Sequence, residues 1–72
     1  MIYLSGLNIL DQAICTRLWD TDSQEEIDSW ISRSPPAIQE RIIAMQLLIM
    51  AAVIDEEELD LTLANQVIEM VK

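Results

Sequence analysis

Between Ile42 and Ile54 the chain runs through thirteen residues with Gln46 as the sole polar side chain. At about 100° per helical residue, Ile38, Ile42, Met45, Ile49 and Ala52 fall on one stripe. Ile43, Leu47, Met50 and Ile54 fall on a second stripe, roughly 130° around the axis. Ala44, Leu48 and Ala51 fill much of what is left. A helix apolar on every side is expected to be covered on every side, so this segment is predicted as the central element of the fold. Its start is signalled by Ser34-Pro35-Pro36, with Ser34 as a cap and proline tolerated in the first turn, where no intrahelical donor is needed. The predicted helix covers 35–54, and only Gln39, Glu40 and Arg41 in its first turns look solvated.

The flanking segments carry narrower stripes. Leu7, Leu10, Ile14 and Leu18 recur at helical spacing and predict an amphipathic helix over 7–19, with Ser5 or Asn8 available as its cap. Ile27, Trp30 and Ile31 predict a short helix over 23–32, opened by a Ser23/Glu26 capping box and closed before Pro35. A last helix over 56–71 has Leu59, Leu63, Val67 and Met70 as its main stripe, widened by Leu61, Ala64 and Ile68. Asp55 and Glu58 fit a capping box at its start. The expectation is an all-α fold: one domain over residues 1–72, a small bundle of about four helices around a central apolar helix.

Composition narrows the functional classes. A chain of 72 residues buries only about 60% of its unfolded surface, which leaves little for a shaped pocket. Thirteen acids face Arg17, Arg33, Arg41 and Lys72, for a formal net charge of −9. Such a surface repels phosphate, so direct nucleic-acid binding and docking on anionic membranes are not expected. The run from Ile42 to Ile54 is shorter than the ~18 residues of a membrane span, and MIYLSGLNIL lacks the basic start of a signal peptide. Cys15 is the single cysteine, so no internal disulfide forms, and a cytoplasmic location is the default expectation.

Catalytic chemistry finds little to work with. Histidine, the commonest general base, is absent. Cys15 has no evident base or cationic setting to activate it and is read as a small residue packed at a helix boundary. No cofactor is implied. Zinc would need Cys and His in number. Asp20-Thr21-Asp22-Ser23-Gln24 resembles the opening of a calcium loop, but Glu25 stands where Gly is required and Ile31 where a bidentate Glu is required.

What remains is recognition. Acids gather between Asp20 and Asp28 and again between Asp55 and Asp60; up-and-down helices would place both runs at one pole of the bundle. Helix N-termini favour acids regardless of function. As a docking feature, the pole would present Glu56, Glu57 and Glu58 to a basic partner. Trp19 and Trp30 are core-edge residues or interface anchors. The apolar surplus predicts an interaction surface that includes Ile43, Leu47, Met50, Ile54, Leu61 and Ile68. The expected function is a non-enzymatic assembly or adaptor module binding a protein partner or a second copy of itself. The alternative is an acidic inhibitor or nucleic-acid mimic, of the sort phage and mobile elements encode, that blocks a basic DNA-handling protein.

Overall fold

The computed structural model describes residues 1–71 and is a small all-α bundle with four α-helices. They are α1 (Ile9–Asp20), α2 (Gln24–Arg33), α3 (Pro36–Ala51) and α4 (Leu61–Met70). Single 3-10 turns at Leu4–Gly6 and Glu56–Glu58 precede α1 and α4.

The element at the centre is α1. It buries Asp11, Ala13, Ile14, Cys15, Thr16 and Leu18, with α4 and α3 packed against it and α2 packed on α3. The expectation of a central α3 is therefore corrected: α3 buries only Ile42 and Met45. Position in the packing, not apolar content, decides which helix is enclosed. α3 has α1 and α2 as neighbours, and Ala44 and Leu48 also pack against the core, but the rest of its circumference is left uncovered.

Being central, α1 must satisfy its own polar groups. Asn8 is its cap, accepting from the Asp11 amide at 2.8 Å. Thr16 Oγ1 donates to the Gln12 carbonyl at 2.9 Å, inside the helix. The Asp11 carboxylate, buried at the start of the helix, accepts two hydrogen bonds from Arg41 of α3, Nε to Oδ1 at 2.9 Å and Nη2 to Oδ2 at 2.7 Å. This bidentate pair ties the first turn of α1 to α3 and fixes where α3 crosses it.

The helix ends depart from the expected caps. Ser23 precedes α2, but its side chain makes no cap hydrogen bond, so the Ser23/Glu26 box does not form. Ser34 turns backward: its hydroxyl donates to the Trp30 carbonyl at 2.7 Å and closes α2 instead of opening α3. α3 stops at Ala51, because residues 52–55 become extended and pair with the N-terminus. Ile2 N–H donates to the Val53 carbonyl at 2.6 Å, and Asp55 N–H donates to the Ile2 carbonyl at 3.1 Å. This is a parallel bridge between Ile2 and Ile54.

The Asp55/Glu58 box is replaced by a longer-range tie. Asp55 accepts from the Glu57 amide at 3.0 Å, whereas Glu58 Oε2 accepts from the Ser5 amide at 2.8 Å. With Glu58 so committed, α4 starts at Leu61, capped by Asp60, which accepts from the Leu63 amide at 3.1 Å. Its buried stripe is Ala64 and Ile68, with Val67 half-buried; Leu63 and Met70, expected to face inward, are exposed. The core also takes in Leu4, Ile27, Trp30 and Ile54. No helix among the described residues is long and apolar enough to cross a membrane.

Candidate functional site

Helix α3 presents two unlike sides. Ile42 and Met45 are buried, with Ile38 and Ile49 half-buried beside them, as the 4-3-4-3 rhythm predicts. On another side Ile43, Leu47 and Met50 stand 47%, 63% and 77% exposed. These three occupy an arc of about 60° and extend over roughly 10 Å of helix. Exposed Glu40 shares that face at its N-terminal end.

Past α3 the apolar surface continues on extended backbone. Successive side chains of a strand alternate between faces. Ile54 is buried and Ile2 half-buried, so Val53, Met1 and Tyr3 turn outward, with exposures of 61%, 76% and 59%. Helical periodicity carried through to Ile54 missed these three. The helix ends at Ala51 because residues 52–55 pair with the N-terminal segment, a long-range contact that local periodicity does not carry.

The remaining sequence-derived candidates divide by burial. Ile54 is 1% exposed and Ile68 2%, both in the core. Ile54 leaves the helix and points inward from the bridge, while Ile68 faces α1, so neither belongs to a surface. Trp30 is also buried, with the Arg17 guanidinium 4.4 Å from its ring centroid, a cation–π geometry. Its indole N–H has no hydrogen-bond partner. Trp19 is half-buried against the core, and Leu61 is exposed at the start of α4, away from the α3 strip in sequence.

The single acidic pole does not form. Glu58 is bonded to Ser5, before α1, and Glu56 and Glu57 are exposed beside it. Asp20 instead ends α1, about 18 Å along a helix of twelve residues. The two acid runs are thus tied to opposite ends of the central helix. The reason is the Ile2–Ile54 bridge, which draws the α3–α4 junction to the N-terminal side.

Cys15 lies mid-helix in α1 rather than at a helix boundary and is fully buried. Burial, reinforced by the nearby Asp11 carboxylate, pushes its thiol up to about 11. At neutral pH it stays a protonated thiol, the unreactive form.

A groove between the end of α1 and α2, with a volume of about 370 Å³, is lined by Arg17, Glu25, Glu26, Trp30 and Arg33 among others. Side chains of both charges line its walls. A cavity of about 30 Å³ between Leu4, α1 and α4 has room for water alone. The Ile43–Leu47–Met50 face, by contrast, is apolar at each of its three exposed positions. Comparison with protein-family models, curated proteins and solved structures finds no match for this chain.

Proposed function

We propose that this chain is a non-enzymatic protein–protein interaction module, with the outward face of α3 as its contact surface. The observation that carries the reading is the exposure of Ile43, Leu47 and Met50 at 47%, 63% and 77% on one side of a helix. Contiguous apolar surface of this kind marks an interface on a soluble chain. Flexible methionine at its most exposed point suits contact with a partner's side chains. Ile42 and Met45 hold the opposite side in the core, so the face is presented on a braced helix, which reduces the ordering cost of binding.

The test is copurification from the native source with a tagged wild-type chain and a Leu47→Ser/Met50→Ser double variant. Both side chains are solvent-facing, so circular dichroism should show an unchanged fold. The expected result is a partner retained by the wild type and lost by the variant. A partner set identical in both would overturn the assignment of this face. Sedimentation of the pure chain separates a foreign partner from a second copy, since a monomer of 8.2 kDa at high micromolar concentration excludes self-association there.

A further inference from the structure

We infer that the α3 face takes an amphipathic helix with an apolar stripe of about two turns and basic residues at both ends, supplied by a different protein. This rests on the interaction reading above and adds the chemistry of the occupant.

The argument is charge complementarity around an uncharged strip. From Ile42 to Ile54 no residue is charged. The borders are acidic. Exposed Glu40 lies on the same helical face within about 20° of Leu47. Exposed Glu56 and Glu57 follow shortly after Val53 at the other end. Alongside the helix, Gln46 of α3 donates to Gln24 Oε1 at 2.9 Å, and Gln24 donates to Asp28 Oδ1 at 3.0 Å, which places a further carboxylate by the α2 border.

The described arginines are engaged elsewhere. Arg41 is turned to Asp11, Arg17 lies over Trp30, and Arg33 Nε donates to the Ser29 carbonyl at 3.2 Å. A helix with cationic ends meets acids at the borders and apolar side chains between them. A second copy fits worse. It brings another −9 to the same encounter, and the acids bordering one strip would meet those bordering the other.

Two synthetic helical peptides with an identical leucine stripe at i, i+4 and i+7 test this, one flanked by lysines and one by glutamates. Each is titrated by fluorescence anisotropy with the full chain at low salt. The lysine-flanked peptide is expected to bind at least about tenfold more tightly and to weaken as salt rises. Leu47→Ser/Met50→Ser should reduce that binding at least about tenfold, and Glu40→Gln/Glu56→Gln/Glu57→Gln should flatten its salt dependence. Met50→Ser alone gives the same reading in milder form if the double variant melts differently from wild type.

Three results overturn the inference. Equal binding of both peptides at the strip leaves the α3 interaction reading standing and removes the charge selectivity. Undiminished binding of the lysine peptide to the serine variants reduces the effect to general attraction by an acidic chain. A wild-type dimer that dissociates on Leu47→Ser/Met50→Ser makes a second copy the occupant.

Discussion

Single residues in this chain are decided by which neighbour reaches them first. Asn8 and Ser23 are both good cap types in good positions, yet only Asn8 accepts a cap hydrogen bond. Ser34 has a cap role in either direction and takes the one behind it, at Trp30. Cys15 shows the same dependence in its titration. Its ordinary value of 9.0 rises to about 11 through burial. Because the folded state holds the proton more tightly, the thiol's contribution is complete below pH 9 and is lost as pH rises toward 11. The full loss is about 2–3 kcal/mol at 1.36 kcal/mol per unit. Urea unfolding midpoints are expected to fall between pH 8 and pH 10.5, and Cys15→Ala to flatten that slope. An equally steep decline in Cys15→Ala would show that another group is responsible.

At the scale of elements, apolar content and burial separate. α3 is the most apolar helix by its sequence, but α1 and α2 cover only part of its circumference, and it fully buries just Ile42 and Met45. α1 carries Asp11, Gln12, Thr16 and Arg17 and is nevertheless the enclosed helix. The two kinds of α3 side chain should therefore respond differently to truncation. Ile42 is 0% exposed, and Ile42→Ala is expected to destabilise by roughly 2–5 kcal/mol. Leu47→Ala, on the open face, should fall within about 0.5 kcal/mol of wild type. A fold of this length has a stability on the order of 4–11 kcal/mol, so the first change takes a large share and the second almost none. Chemical denaturation of the two variants side by side checks this; equal costs would mean that the outward face is covered.

For the whole molecule the dominant quantity is charge. With −9 spread over extents of 29 × 23 × 18 Å, self-repulsion opposes the compact state. The acids near Asp20–Asp28 and those near Asp55–Asp60 are held at opposite ends of α1, which keeps the two runs apart. Added salt screens what remains, since the Debye length shrinks from about 10 Å at 0.1 M to 3 Å at 1 M. The melting temperature is expected to rise by several degrees from low ionic strength to about 0.5 M sodium chloride. The partly sheltered Asp11–Arg41 pair, bidentate at 2.7–2.9 Å, is screened less and should not reverse the trend. A melting temperature that falls with salt would indicate that attractive pairs outweigh the repulsion.

The sequence by itself determined the helical class, the helix count and the inward stripes of α2 and α3. Those features depend on spacing along one segment: Ile27 with Trp30, Ile42 with Met45, and prolines at 35 and 36 that separate two helices. The excess of apolar surface on α3 was legible for the same reason, because one helix shows more stripes than short neighbours can cover. Tertiary structure alone decided which helix is central, where α3 ends and how the acids are distributed. Each of those rests on a contact between residues distant in the chain: Asp11 with Arg41, Ile2 with Ile54, Ser5 with Glu58. Local periodicity says which sides of a helix avoid water. It holds no information on which of several apolar sides a distant segment will reach, and here the N-terminal segment and α4 closed over α1 and left one face of α3 open.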